Sequence, residues 1–192
     1  DYLDARHDEA RGIPGLSAKI LDLVPRMRAA GIGGVRFNTV IKHDNLDQIL
    51  PIVERAAALG GGVNFSVYTD FKNGNREHLI DADQQQEIQN VVDALLAYKH
   101  RRRGIITNSD YYLEQIPRYL RGEMTEPCQS GSTTIHIDPQ GQVRRCPDFP
   151  ADGPWQSYTG YAPIDCNACY YACRGEAQAP LRLMSRVRDV MA

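Results

Sequence analysis

The sequence predicts an α/β fold for residues 1–122, followed by a small α+β domain over residues 123–192. Two observations lead to this prediction. Helical and strand-like segments alternate in the first part, which is typical of parallel β/α units. All five cysteines lie between positions 128 and 173, and the first 127 residues contain none. We therefore expect any thiolate chemistry to be confined to the second domain.

The first helix and the first strand are predicted from periodicity and capping. Apolar residues recur at helical spacing over residues 17–30, Ser17 is a potential N-cap, and Gly31 ends the segment. Pro25 lies inside this helix and predicts a kink. A β-branched run with polar residues at alternate positions predicts a strand over residues 34–41.

A second helix and a second strand repeat this order. Asn45 precedes a helical pattern over residues 46–59, which three glycines end, and residues 63–68 form the next strand-like run. Helix and strand of these lengths predict right-handed parallel units. Two strands do not complete a sheet, so we expect this part to lack neighbouring strands. The chain also begins without methionine, which suggests a processed or partial chain.

The rest of the first part consists of a loop and two helices. The polar loop over residues 70–81 follows the second strand, where the loops of a barrel line its active site. Contact with substrate and ordinary solvation both remain open for this loop. Helical patterns predict one helix over residues 82–102, another that Ser109 caps and that runs to Leu120, and a last helix over residues 178–191.

The first two cysteines flank a predicted β-hairpin. Residues 133–137 alternate like a strand, and residues 138–141 carry the Asp, Pro and Gly typical of a turn. A second strand then leads into Cys146. This hairpin would bring Cys128 and Cys146 together although they are far apart in the chain.

Three kinds of site fit the five thiols: disulfides, a zinc ion and an iron–sulfur cluster. The odd number of cysteines and the absence of a secretory signal disfavour disulfides. A closed four-cysteine zinc site is chemically sound, but ribbon-type sites carry two CxxC knuckles, and only Cys166 and Cys169 form one here. An iron–sulfur cluster is the favoured interpretation, and because four thiolates complete a [4Fe–4S] cube, one cysteine is left over.

The cysteine spacing resembles the C-terminal iron–sulfur domain of radical SAM enzymes, of the SPASM or the shorter Twitch type. The shared pattern is Cys-x12-Gly-x4-Cys, followed by Cys-x2-Cys and a further cysteine. Five cysteines are too few for the two clusters of a full SPASM domain, so the resemblance implies one auxiliary [4Fe–4S] cluster. Its expected ligands are Cys128, Cys146, Cys166 and Cys169, with Cys173 as the spare, although the choice between Cys166 and Cys173 stays open.

The first part resembles the back half of a radical SAM core, which is a partial (β/α)6 barrel. Residues 7–12, His-Asp-Glu-Ala-Arg-Gly, resemble the segment after the fourth strand of that core, and residues 35–41 with Asn45 resemble its fifth strand. The CxxxCxxC loop that holds the SAM-binding cluster in this family is absent from the 192 residues. The resemblance therefore implies the C-terminal half of a partial (β/α) barrel.

The same resemblance suggests residues that contact S-adenosyl-L-methionine (SAM), because the family binds it from the fourth and fifth strands. Asn38 is the first candidate, as donor and acceptor for the ribose hydroxyls. Arg11 is the candidate for the carboxylate, and Arg36 is the second choice. For each residue an ordinary structural role, in a surface ion pair or a buried turn, is the alternative. No catalytic residue is predicted.

The implied function is that of the C-terminal portion of a radical SAM enzyme with one auxiliary cluster. In that family, reductive cleavage of SAM at a second [4Fe–4S] cluster yields a 5′-deoxyadenosyl radical, which abstracts hydrogen from a peptide or a small molecule. The expected partner is the missing N-terminal half of the barrel, without which we expect no activity. The alternative is a non-catalytic binding module stabilised by zinc or by an iron–sulfur cluster.

Composition limits the other partners and the compartment. The net charge is −2 and no apolar run of about eighteen residues occurs, so we expect neither a nucleic acid nor a membrane as partner. A thiol-rich metal site without a visible targeting peptide is typical of the cytoplasm.

Overall fold

The computed structural model describes residues 1–124 and 126–180 and has a mixed α/β architecture. None of the helices in these two ranges is both long and apolar enough to cross a membrane. The elements in chain order are α1 (Ala5–Arg11), α2 (Leu16–Ala29), β1 (Arg36–Ile41), α3 (Ile49–Ala58), β2 (Gly62–Val67), α4 (Gln85–Arg101), α5 (Asp110–Leu120), β3 (His136–Ile137), β4 (Gln142–Arg144), β5 (Gly153–Pro154) and α6 (Ala172–Gln178).

Most of the predicted elements are confirmed, with three additions. The structure contains the helices and strands predicted over residues 17–68, the two helices predicted over residues 82–120, and the hairpin, which forms as β3 and β4. The sequence did not predict α1, β5 or α6. The helix predicted over residues 178–191 lies, from residue 181 onward, outside the described residues.

The N-terminus of α2 differs in detail from the prediction. The helix begins at Leu16, and Gly15 is the N-cap residue with a left-handed conformation (φ 74°). Ser17 lies in the first turn, where its backbone N–H donates to the carboxylate of Asp8 at 2.8 Å. An acidic side chain from the preceding helix thus caps α2, in place of Ser17. Pro25 lies within one continuous helix.

The central sheet is parallel, as predicted. β1 and β2 pair in register from Arg36 opposite Gly62 to Ile41 opposite Val67. A third segment extends this sheet beyond β2, because Ile106 forms a parallel bridge with Val63. The β/α arrangement predicted for this part is the unit β1–α3–β2, and α4 leads on to the bridge at Ile106.

Close to the bridge at Ile106, the side chain of Asn108 forms hydrogen bonds with the backbone of β2. Its Oδ1 accepts from the N–H of Phe65 at 2.7 Å, and its Nδ2 donates to the carbonyl of the same residue at 3.1 Å. Asn108 is only 1% exposed. One amide side chain thus satisfies both backbone groups of a buried strand residue.

The two faces of the sheet differ in polarity. Phe65 and Val67 on β2 and Ile41 on β1 are buried in the core together with residues of α3 and α4. The opposite face carries polar residues, among which Asn64 donates to the side-chain oxygen of Asn38 at 2.9 Å. Parallel sheets are normally covered on both faces, so the polar face of this sheet is suited to a ligand or to further protein.

The region that contains the cysteines, which we call the cysteine lobe (residues 126–180), packs against the first part through aromatic rings. Tyr170 stacks on Tyr112 with ring centroids 4.9 Å apart, and each hydroxyl donates to the backbone carbonyl of the other residue. The ring of Tyr119 stacks on the ring of Tyr170, with centroids 5.3 Å apart. Gly175 of α6 lies against Tyr112, so the lobe shares the core of the α/β part.

Candidate metal centre

Backbone hydrogen bonds bring the first cysteine to the segment that carries the last three. Cys128 is buried and forms an antiparallel bridge with Ile164. Its N–H donates to the carbonyl of Cys166 at 3.2 Å. The N–H of Ser130 donates to the sulfur of Cys128 at 3.4 Å, which is the kind of contact that stabilises a thiolate ligand.

The hairpin delivers the second cysteine to the same place. Cys146 lies two residues after β4, which pairs with β3 in antiparallel register. The hydroxyl of Ser130 donates to the carbonyl of Arg145, the residue before Cys146. This contact joins the chain just after Cys128 to the chain just before Cys146, as the sequence predicted for a hairpin between them.

A buried arginine holds the segment of the last three cysteines. Arg174 is 1% exposed, and its Nη1 donates to the carbonyl of Cys169 at 2.6 Å. Its Nη2 donates to the carbonyl of Glu126 at 3.0 Å and to the side-chain oxygen of Asn167. One guanidinium therefore connects both ends of the lobe and fixes the CxxC turn relative to the segment before Cys128.

All five cysteines are free thiols, and burial disfavours the ionisation of Cys146, Cys169 and Cys173. Burial raises the pKa of Cys169 to about 12, and the charges of Cys173 and Cys128 act in the same direction. Burial is also the main cause of the raised pKa of Cys146 and of Cys173. Without a metal these thiols are protonated near neutral pH, so metal binding releases protons.

Within the described residues, the cysteine sulfurs do not form a group as compact as the ligands of one bound ion. In a tetrahedral zinc site with bonds of about 2.3 Å, the sulfurs are about 3.8 Å apart. Within residues 1–124 and 126–180, no three cysteine sulfurs lie within 4.8 Å of one another. The thiolates of a [4Fe–4S] cube bind four different irons, so such a cluster does not require three sulfurs this close together.

Cys166 and Cys173 differ in their electrostatic contacts with the other thiols. The charges of Cys146 and Cys128 are among the leading causes, after burial, of the raised pKa of Cys173, and Cys173 in turn acts on Cys169. Cys166 is among the leading causes only for Cys146. The carbonyl of Cys166 accepts from the N–H of Cys128, so both cysteines lie near the other thiols and stay candidates for the fourth ligand.

The candidate SAM contacts lie apart from the cysteines and in different settings. Asn38 lines a cleft of about 130 Å³ that β1, α2 and the first residues of the chain form together. Arg11 is half-exposed and pairs with the carboxylate of Asp1 at 3.1 Å, and Asp1 also lines this cleft. Arg36 is exposed on β1, and its guanidinium donates to the carbonyl of Val35 at 3.4 Å. The structure therefore brings Asn38 to the cleft and places neither arginine in its lining.

A second group of metal-binding side chains was not predicted. His43, Asp44 and His78 each offer one ligand atom, and these atoms lie within 4.8 Å of one another. The signal in the sequence was weak but present. His43 and Asp44 directly follow the first predicted strand, and His78 lies in the polar loop over residues 70–81, for which contact with substrate remained open.

Comparison of the chain with protein-family models, with curated proteins and with solved structures found no match. The functional argument therefore rests on the residues and their geometry.

Proposed function

We propose that this chain is the C-terminal portion of a radical SAM enzyme that carries one auxiliary [4Fe–4S] cluster and modifies a peptide or a small molecule. The observation that carries the proposal is the convergence of the cysteines. Hydrogen bonds link the residues around Cys128 to those around Cys146 and Cys166. Arg174 donates a further hydrogen bond to the carbonyl of Cys169. Five free thiols collected from distant points of a chain suit a soft metal cofactor in a reducing compartment such as the cytoplasm.

The proposal favours a cluster over a single zinc ion, because the chain has only one CxxC knuckle and a cube does not need closely spaced sulfurs. A bound [4Fe–4S] cluster supplies one-electron chemistry and a site at which substrate can be oriented. The chain contributes four thiolates, the Ser130 N–H to sulfur, and apolar cover. Tyr170, which is fully buried and follows Cys169 directly, would be part of that cover.

The contact between the two parts of the chain supports a shared active site. The hydroxyl of Thr69, just after β2, donates to the carbonyl of Ala168 at 3.1 Å. Lys72 pairs with Asp148 at 3.2 Å. The carboxyl-terminal edge of the sheet, where α/β proteins bind their ligands, therefore faces the cysteine lobe, and a substrate bound at that edge would lie beside the cluster.

The polar face of the sheet supports the proposal that a further half of the barrel is a partner. Asn38 and Asn64 on this face would then line a SAM pocket, with Asn38 the first candidate for the ribose and Arg11, before Arg36, for the carboxylate. Half a pocket lacks the enclosure that gives small-molecule sites their affinity. We therefore expect that the 192-residue chain alone forms no 5′-deoxyadenosine from SAM and dithionite, and detection of that product above a no-protein control would contradict this division of roles.

The cofactor is tested on protein purified without oxygen. We expect broad absorption near about 400 nm with about four irons and four sulfides per chain, as a four-thiolate cube requires. A colourless protein with stoichiometric zinc would overturn the cluster and support the alternative, a non-catalytic metal-stabilised binding module.

Single cysteine variants identify the ligands. Replacement of Cys128, Cys146 or Cys169 by Ala is expected to abolish iron binding. The preference for Cys166 as the fourth ligand predicts that Cys173→Ala retains most of the iron, whereas the alternative, Cys173 as the fourth ligand, predicts that Cys166→Ala retains it. Iron content of these two variants, measured side by side after identical reconstitution, decides between them.

A further inference from the structure

Three metal-binding side chains meet at the carboxyl-terminal edge of the central sheet. His43 and Asp44 follow β1, and His78 lies in the loop after β2. One ligand atom from each residue lies within 4.8 Å of the other two, and all three residues are half-buried. Parallel strands place residues that are distant in sequence at one edge, which is where α/β sheets bind ligands.

Two polar atoms of this group are buried without a partner. Within the described part of the chain, neither Oδ1 of Asp44 nor Nδ1 of His78 has a hydrogen-bond partner. A buried polar atom that is left unpaired costs about 1–3 kcal/mol. A bound ion is one of the few arrangements that removes this cost, because it accepts electron pairs from both atoms.

Neighbouring groups hold the three side chains in position. The hydroxyl of Tyr2 donates to Oδ2 of Asp44 at 2.7 Å, which leaves Oδ1 as the free carboxylate oxygen. The side-chain amide of Gln84 donates to the carbonyl of His43 at 2.9 Å. The ring of His78 packs edge-on against Tyr68 with centroids 5.3 Å apart. Such outer contacts orient the ligands of established metal sites.

We propose that His43, Asp44 and His78 form a binding site for a divalent transition-metal ion, represented in the test by Zn²⁺. Two imidazoles and one carboxylate are a common donor set for such ions, and three protein ligands leave one position for water or a substrate oxygen. Ligand atoms of a tetrahedral zinc site with nitrogen and oxygen donors are about 3.3 Å apart, so binding draws the group together. The site uses none of the cysteines and is independent of the proposed cluster.

The donor set, together with the few negative charges around it, determines which ions the site selects. Nη1 of Arg6 donates to the backbone carbonyl of Asp44 at 3.1 Å. The ammonium of Lys42 lies 4.5 Å from the ring centroid of Tyr2. Mg²⁺ and Ca²⁺ require oxygen-rich, anionic surroundings, whereas ions of the zinc class bind neutral imidazole. We therefore expect the site to take Zn²⁺ and to reject Mg²⁺.

The first test counts the zinc ions that are bound per chain. A matched variant accounts for the zinc that binds to the cysteine thiols. After equilibrium dialysis against Zn²⁺, the double variant His43→Ala/His78→Ala is expected to hold one equivalent fewer than the wild-type chain. His100→Ala is the control, because that ring is 63% exposed on α4, and it should hold as many as the wild type. Tyr2→Phe should keep the equivalent at saturation and weaken its affinity about 10–100-fold.

NMR signals of the imidazole rings in the wild-type chain provide a second test. Variants are needed only to assign these signals. Zn²⁺ should shift the ring signals of His43 and His78 and leave that of His100 unchanged, and Mg²⁺ at the same concentration should shift none of them. Equal zinc content in the wild type and the double variant would overturn the site, as would unshifted His43 and His78 signals at saturation. Iron and sulfide content is measured in the same samples, so failure of this site is distinguishable from failure of the cluster.

Discussion

Replacement of Gly175 by alanine tests how the cysteine lobe is attached to the α/β part. Gly175 lies inside α6, and a Cβ atom at this position would meet Cδ2 of Tyr112 at 2.1 Å and Oη of Tyr170 at 2.8 Å. Both tyrosines have no exposed surface. The ring of Tyr112 is stacked on Tyr170, so it cannot move aside without opening the contact between the two parts.

The expected change in stability follows from two opposing effects. Overpacking a buried site costs about 1–3 kcal/mol, and the 2.1 Å approach is far inside the range of ordinary contacts, which favours the upper end, about 3 kcal/mol. Alanine is better than glycine in a helix by about 1 kcal/mol. We therefore expect Gly175→Ala to lower the free energy of unfolding by about 2 kcal/mol.

Denaturant unfolding of the two proteins measures this difference directly. A loss of that size corresponds to a fall in Tm of about 4–8 °C for a chain of this length. Gly33→Ala is the matched control, because a Cβ at Gly33 has no atom within 4 Å, and its effect should stay within about 0.5 kcal/mol. If Gly175→Ala is as stable as the wild type or more stable, the close packing of α6 on Tyr112 is refuted.

Two further variants test the α/β part. Asn108→Ala removes both hydrogen bonds to Phe65 and leaves buried backbone groups unpaired, so denaturant unfolding should show a loss of about 2–4 kcal/mol, and a loss below about 1 kcal/mol would contradict the role of this side chain. Burial opposes ionisation of Asp110, but hydrogen bonds from Lys99 and His100 outweigh it and hold the pKa of Asp110 below its usual value. A carboxyl with a lowered pKa stabilises the fold above about pH 4, and this stabilisation is lost as the pH falls through the lowered value. Asp110→Asn should therefore lower the free energy of unfolding by at most about 1 kcal/mol at pH 7, because the ion pair is partly exposed. The variant should also show a weaker loss of stability at acid pH than the wild type.

The elements that the sequence predicted are those with strong local signals. Ser109 caps α5 through a hydrogen bond to the N–H of Tyr112, as its position before the helical pattern indicated. The turn of the hairpin forms at Asp138 and Gly141, with the N–H of Gly141 donating to the Asp138 carbonyl. Such features depend on residues within one turn of each other, so local chemistry is enough to predict them.

The features that the sequence did not predict depend on distant contacts. β5 is only two residues long and exists because Gly153 pairs with Val143. The cysteine pattern predicted one shared site, but not that Arg174 links the carbonyl of Cys169 to that of Glu126. The His43–Asp44–His78 group likewise depends on the register between β1 and β2. No local pattern encodes contacts of this kind.

Arg174 has a consequence for the energetics of metal uptake. All of its hydrogen-bond partners in the described ranges are neutral oxygens, from the carbonyls of Cys169 and Glu126 and the side chains of Asn167 and Gln178. A buried guanidinium is costly without a negative charge nearby. Burial raises the pKa of Cys169, and the charge of Arg174 opposes that rise.

Coordination by a metal converts protonated thiols into thiolates. It would therefore give the Arg174 guanidinium the counter-ion that the protonated lobe lacks. Metal uptake and the burial of this cation favour each other. Loss of the metal is thus expected to loosen the packing around Arg174, at both ends of the lobe, as well as the contacts at the sulfur atoms.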